Sequence, residues 1–371
     1  MKSSPPLSTE QRIEILDGFR AMAVMAVIAY HYFFFFGKSE DLSDYPVWEL
    51  VRRGYFGVHL FFIISGFVIY RSMDQSTSIK EFLGKRYLRL APSLIVASIF
   101  TYAMVEWWNS SNRIEIYQVN SSFDFLFSLT FIHPDVWNGL FGRTDIKFID
   151  GAYWSLWPEV VFYISASIVY FNSRRENFLR NWFFLVLIAN ILRIATSPKL
   201  VEFTPEFLLP VSKAYYGSFL LLNLSYWPYF TTGMLFYALW TKRNPSQLVW
   251  IIAAVVFMFE MYFIEHRDIR ILFIAAIGLW MIFLRRPSWL QFLQWRPIQV
   301  IGLISYPLYL LHETAGLVLT EKLITWTNHS VPVPVLLLIT WAVFIVLAYC
   351  VFLFFEKPIT RALKKRLLGL K

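Results

Sequence analysis

Apolar residues along this chain neither alternate nor trace a single helical stripe. They come in runs of about 17 to 25, the length that crosses the hydrocarbon core of a bilayer as an α-helix. Ten such runs lie near 15–36, 54–71, 90–108, 153–171, 179–196, 226–241, 248–264, 268–284, 298–319 and 334–356. Two further apolar stretches, 122–133 and 214–224, are too short to span and are expected to be re-entrant or interfacial helices. Pro205, Pro210 and Pro228 interrupt the central runs. The pattern predicts an all-α polytopic membrane protein with about ten transmembrane helices. It shows no repeat, low-complexity segment or long linker, so residues 1–371 read as a single membrane domain with a basic tail from about 357 to 371. The first run is long enough to span and lacks a small-residue cleavage site, which makes it a retained helix rather than a signal peptide.

Charge gives these helices a direction. With both termini inside, the inner segments hold 20 Lys and Arg and the outer loops 11, with Arg20, Arg71 and Arg193 inside spans. That bias supports an N-in, C-in topology, as expected of a protein in a bacterial cytoplasmic (inner) membrane. The net charge of +9 would suggest nucleic acid in a soluble protein; here topology accounts for it, and no nucleic-acid partner is expected. Composition agrees: 57% of residues are hydrophobic and 16% charged, against roughly 25% charged in soluble domains. Aromatic residues reach 19%, with Phe suited to lipid and helix contacts and Trp and Tyr to the interfaces. The single cysteine, Cys350, excludes an intrachain disulfide and a cysteine metal site, and no metal is expected. The chain contains no GxSxG elbow, Walker loop, GxGxxG or HExxH, which argues against a nucleotide-driven pump or a zinc hydrolase.

Ionisable groups at membrane depth are expensive and therefore mark candidate sites. The first span carries Asp17, Arg20 and His31. Eleven residues separate Arg20 from His31, three helical turns plus roughly 20°, so the two share a face about 16 Å apart along the axis. Asp17 is too far from His31 to orient it and suits a partner for Arg20. In the second span Gly57, Ser65 and Gly66 permit close helix contact, and His59 lies near the outer end. Arg86 and Arg89, three apart just before Pro92, could grip phosphate oxygens or simply supply positive-inside charge. Glu159 in the fourth span needs a partner or a proton, as an ion pair or as a catalytic group. Ser305, Tyr309 and His312 form a polar stripe in the ninth span, with His312 toward the same side as His31. Trp107, Trp108, Trp137, Trp154 and Trp157 are predicted near the outer side, as interface anchors or as platforms for a sugar.

With these residues in place, the chain resembles the acyltransferase 3 family of integral membrane acyltransferases along nearly its whole length. Leu16-Asp17-Gly18-Phe19-Arg20, ten residues and then His31 is similar to the family's Arg-X10-His signature. Gly57-Val58, Leu60-Phe61-Phe62 and Ser65-Gly66-Phe67 follow, then Arg86 and Arg89 as its Arg-X-X-Arg. Trp154-Ser155-Leu156 with Glu159 and Phe162-Tyr163 come next, then Ser305-Tyr306 with Tyr309 and His312, and last Glu356-Lys357-Pro358. His59 stands where the family is often acidic, and Pro158 where a small residue is more usual. The extracytoplasmic hydrolase-like domain of some members has no counterpart here, as in a stand-alone member. The resemblance implies transfer of an acyl group, most often acetyl, from cytoplasmic acetyl-CoA to a hydroxyl of a cell-surface polysaccharide, lipid-linked sugar or similar acceptor. It implies His31 as general base or transient acyl carrier. Arg86, Arg89 and Arg20 would hold the donor, Glu159, His312 or Tyr309 would orient the base, and Ser305, Trp154 and Trp157 would join the substrate side. The same helices and buried charges also suit a glycan or small-solute transporter, or a protein that binds acyl-CoA without chemistry. Acyl type, acceptor and the choice between monomer and homodimer stay open.

Overall fold

The computed structural model describes residues 13–36, 48–108, 122–197, 205–243, 245–264 and 266–368. Positions 1–12, part of the expected outer loop (109–121) and the end of the basic tail (369–371) lie outside the described residues. Helix α1 (Glu14–Ala29) continues into a π-helical turn, Tyr30–Phe35. After α2 (Trp48–Val51) come two long antiparallel helices, α3 (Phe56–Asp74) and α4 (Ile79–Trp108), the second starting well before its apolar run. Short helices α5 (Ser122–Ser128) and α6 (Pro134–Phe141) precede a 3-10 turn, Gly151–Ser155, which opens α7 (Leu156–Asn172). Then follow α8 (Phe178–Ala195), α9 (Leu209–Leu221), α10 (Trp227–Trp240), α11 (Gln247–Phe263) and α12 (Arg267–Arg285). The ninth run is not one helix but three, α13 (Arg296–Leu303), α14 (Ser305–Leu311) and α15 (Thr314–Trp326). The last is α16 (Val333–Val351), extended by a π turn, Phe352–Glu356, and by α17 (Lys357–Leu368). No strand occurs among the described residues.

Each expected run is helical, yet among the described residues four helices are long and apolar enough to cross a membrane: Phe56–Asp74, Ile79–Trp107, Arg175–Ala195 and Val333–Leu363. The remainder fall short for identifiable reasons. Hydropathy averages over a window and does not register a break, so it merged α13 to α15. Pro210 and Pro228 sit in the first turns of α9 and α10, where a missing N–H leaves no intrahelical bond unmade. They open these helices rather than interrupt them. The stretch 122–133 runs back along α4: Phe125 meets Tyr102 at 5.4 Å between ring centroids and Phe131 meets Tyr87 at 6.2 Å. Those α4 positions are about 22 Å apart, so the segment lies against the side of α4 and runs antiparallel to it.

The core of the bundle is the contact of α3 with α10 and α1. A Cβ on Gly66 would stand 1.9 Å from the Phe230 carbonyl oxygen, and one on Gly233 1.9 Å from that of Ile63. The two backbones therefore touch through reciprocal glycines, the close approach that small residues permit between membrane helices. At the far end of α3 Asp74 accepts hydrogen bonds from Tyr170 (2.7 Å), Tyr237 (2.8 Å) and Arg243 (2.6 Å), which ties α3, α7 and α10 together.

Gly66→Val is expected to destabilise the protein by at least about 1–3 kcal/mol, since no backbone can yield to the added methyls. Gly278→Ala, where a Cβ meets nothing within 4 Å, is expected to leave the melting temperature unchanged or raise it. Thermal unfolding of both variants in one detergent checks the contrast.

Candidate active site

The break between α14 and α15 builds the site. A helix interrupted inside a membrane protein leaves backbone donors that water does not reach, and such a break persists only where protein groups satisfy them. Asp150 does so. One carboxylate oxygen accepts from the Ala152 N–H at the start of the 3-10 turn and the other from the Thr314 N–H at the start of α15, both at 2.9 Å. Asp150 is fully buried. The junction is closed by the Tyr32 hydroxyl, which donates to the His312 carbonyl at 2.9 Å.

Across this junction His31 meets His312, 281 residues away in sequence, with Nδ1 2.9 Å from Nε2. The other ring nitrogen of His312, Nδ1, lies 2.7 Å from the Tyr309 carbonyl oxygen. A carbonyl accepts and never donates, so His312 Nδ1 carries a proton. In the neutral ring Nε2 is then the acceptor, and His31 must donate to it from Nδ1. That fixes His31 as the tautomer with its lone pair on Nε2. Glu313 Oε2 lies 3.6 Å from this nitrogen. A carboxylate at that distance stabilises the imidazolium formed when Nε2 takes a proton. The arrangement is thus a base with a defined tautomer, oriented by His312 and backed electrostatically by Glu313. Gly151 leaves room for the carboxylate, since a Cβ there would stand 2.4 Å from Glu313 Oε1.

The ligand atoms of His31, His312 and Glu313 also lie within 4.8 Å of one another, a possible metal cluster. The two facing nitrogens are 2.9 Å apart, whereas two nitrogens bound tetrahedrally at about 2.1 Å to one ion would be about 3.4 Å apart. The observed spacing is that of a hydrogen bond.

Two cavities meet beside this triad. One, on the side that the charge bias leads one to expect as outer, about 970 Å³, is lined by His31, Tyr30, Tyr55, His59, Trp154 and Tyr226 among others. The second, about 760 Å³, is lined by Arg20, Arg86, Arg89, Glu159, Ser305 and Tyr306 among others. Val58 and Tyr309 belong to both walls. Tyr309 is held by Ser155 Oγ at 2.9 Å and donates to the Ala152 carbonyl at 3.1 Å. In the second cavity Arg20 pairs with Asp17 at 2.7 Å. Glu159 accepts from Ser65 at 2.6 Å and from the Tyr163 hydroxyl. Arg86 Nε is buried with no hydrogen-bond partner among the described residues. Three guanidiniums and one carboxylate line this cavity, a lining whose excess of positive charge suits an anion.

The expected site residues therefore gather as Arg20, Arg86, Arg89, Glu159, Ser305 and Tyr309 on one side and His31, His312, Tyr309 and Trp154 on the other. Glu159 stands with the arginines, away from His31; of the three groups expected to orient the base, His312 contacts His31 directly and Tyr309 contacts His312 through its carbonyl. Trp157 does not join either wall: its indole N–H donates to the Leu221 carbonyl at 2.7 Å, in a helix-packing position. The other tryptophans do not cluster. Trp107 packs on Trp326, and Trp137 on Phe127 and Phe141; the side chain of Trp108 lies outside the described residues. Sequence reading missed Asp150 and Glu313. An Asp-Gly pair directly ahead of a helix start is an N-cap signal and could have exposed the first.

Comparison with known sequences now bears on this geometry. A family model described as an acyltransferase domain, acyltransferase 3, matches residues 13–355. The chain belongs to the acyltransferase 3 family. It is similar to the peptidoglycan O-acetyltransferase OatA of Listeria monocytogenes serovar 1/2a (strain ATCC BAA-679 / EGD-e), 29% identical over 164 residues, which are 43% of this chain and 19% of that protein. It is also similar to an O-acetyl transferase of Shigella phage Sf6, 27% identical over 155 residues, 41% of this chain and 44% of that protein. The chain thus spans less than half the length of the curated relatives it matches. No solved structure matches it. The apolar helices and the family suit an integral membrane protein, and the matched region contains all the residues of both cavity walls.

In an assay of the acyl transfer that the family name implies, His312→Ala is expected to lower kcat by about 10²-fold or more while the KM for the acyl donor stays near wild type, because His312 acts on the tautomer of His31 and not on the arginine wall. Steady-state kinetics that separate the two constants check this.

Proposed function

We propose that this acyltransferase is an O-acetyltransferase, taking its acyl group from acetyl-CoA at the arginine-lined cavity and delivering it to a hydroxyl of a carbohydrate acceptor in the outer cavity. The meeting of the two cavities at Tyr309, with His31 beside the junction, carries this reading. Arg20, Arg86 and Arg89 suit the phosphates of coenzyme A, and they lie on the side that the charge bias assigns to the cytoplasm of a bacterial inner membrane. The thin pantetheine arm would bring the thioester toward Tyr309 and His31. The outer cavity, with Trp154, Tyr226, Tyr30 and Tyr55, offers aromatic faces and hydroxyls suited to a sugar of a surface polysaccharide or lipid-linked glycan.

In the proposed reaction His31 Nε2 removes the proton of the acceptor hydroxyl as its oxygen attacks the thioester carbonyl. Glu313 stabilises the resulting imidazolium, and His312 holds the ring in place. The tetrahedral intermediate collapses with loss of the coenzyme A thiolate, which takes the proton back from Nε2, leaving an ester and a free thiol. No metal enters this proposal.

In nanodiscs with labelled acetyl-CoA and cell-envelope glycans, the wild type is expected to release coenzyme A and label the glycan. His31→Ala should lose about 10²–10⁴-fold in rate with donor affinity unchanged, and Arg86→Gln should weaken donor binding with little change in kcat. A wild type that neither binds nor turns over acetyl-CoA would sink the reading and favour a carrier.

A further inference from the structure

A third cavity, about 920 Å³, lies between α8, α10, α11 and α12 and shares no lining residue with the other two. Its walls are apolar, with Leu235, Phe257, Ile277 and Met281 among them. The two hydroxyls that reach it are already engaged, Thr231 donating to the Trp227 carbonyl at 2.7 Å and Thr232 to that of Pro228 at 2.8 Å. The wall therefore has little to offer a polar ligand. Outside it, α11 and α12 expose Ile251 (55%), Met258 (59%) and Ile274 (55%). An apolar exterior of this kind suits contact with hydrocarbon, which sets the groove beside lipid.

Its two ends differ. Glu260 lies at one end and Arg285, at the close of α12, at the other. Arg286 follows directly, and Pro287 stops the helix. No carboxylate pairs with Arg285 among the described residues. From Phe273 to Arg285 the wall runs about 18 Å, close to the depth of one leaflet, half of a core about 30 Å thick. A groove one leaflet deep, apolar along its length and cationic at its mouth, is complementary to one acyl chain with its phosphate.

We propose that this groove binds an anionic phospholipid from the leaflet bordering Arg285, the chain filling the groove and the phosphate resting on the Arg285 guanidinium. Arg285 lines the groove itself, which generic positive-inside charge does not require. The filled groove would also support the outer cavity from behind. Tyr229 stands near Glu260 of the groove, and its ring lies 4.6 Å from that of His59 on the wall of that cavity. The proposal is independent of which acyl donor or acceptor the enzyme uses.

The test is native mass spectrometry of the full chain in a neutral detergent, with phosphatidylglycerol or phosphatidylcholine of identical chains, alongside thermal unfolding. Wild type is expected to retain one phosphatidylglycerol in preference to phosphatidylcholine and to gain thermal stability from it. Arg285→Gln should weaken that retention roughly tenfold, as loss of one charge-assisted contact would. Ala253→Trp, which fills the groove, should abolish retention of both lipids, with Ile277→Trp as the second filling variant should the first not fold. Equal retention of the two lipids by wild type, or wild-type phosphatidylglycerol binding by a folded groove-filling variant, overturns the proposal.

Discussion

One buried carboxylate holds the site together. Asp150 satisfies the first free N–H of two helical segments at once, and without it the break before α15 would leave donors bare in a medium that offers no water. Everything around His31 depends on that break. A continuous α14–α15 helix would carry His312 and Glu313 past one another on successive positions, about 100° apart around the axis. The interruption instead presents both toward the same imidazole, one to each ring nitrogen. The π-helical turn that begins at Tyr30 performs the matching adjustment on the first helix, and π turns of this kind recur at functional sites.

How much of this was legible in the sequence follows from what each signal measures. His31, Arg20, Arg86, Arg89, Glu159 and His312 were visible because a polar group inside an apolar run is conspicuous whatever it touches. Their division into two walls was only partly visible. The charge bias put the arginines at one end and the histidines at the other, but it gave no way to tell that Glu159 keeps company with the arginines. The helix breaks were invisible, because Ile304 at the first is itself apolar, and His312 and Glu313 at the second lower the average hydropathy of the ninth run too little to split it. Asp150 was passed over because it adjoins an expected span end, where charge is ordinary, and Glu313 because it directly follows His312, which drew the attention within that run. Trp157 shows the opposite error. An interfacial tryptophan beside a motif suggested a substrate platform, and its indole proves to be spent on a neighbouring helix carbonyl.

The number of crossing helices divides along the same lines. In α16, which packs on α14 and α15 along one side, hydropathy and structure coincide. Among the elements that line the two cavities, α3 and α4 run unbroken, whereas α7 is opened by a 3-10 turn and α14 is cut off from α15, because irregular backbone in a membrane protein is tolerated where protein or cavity covers it.

The arginine wall and the histidine triad place opposite demands on the bundle. Guanidiniums crowded on one face repel one another, and the unpartnered Arg86 Nε adds the penalty of a buried donor left without an acceptor. Reciprocal glycine packing between α3 and α10 and the Asp74 clamp supply rigidity next to that strain. The two histidines by contrast are held by hydrogen bonds, from the Tyr309 carbonyl through His312 to His31, and the lone pair of His31 Nε2 lies on the side of Glu313. One wall is therefore left to be completed by an anion, and the other is set before any ligand arrives. Tyr309 links them: its hydroxyl is fixed to the 3-10 turn, its carbonyl sets the tautomer of the triad, and its ring separates the two chambers. A side chain with three such constraints has little freedom to move alone, so an acyl group passing between the chambers must go past Tyr309 rather than displace it.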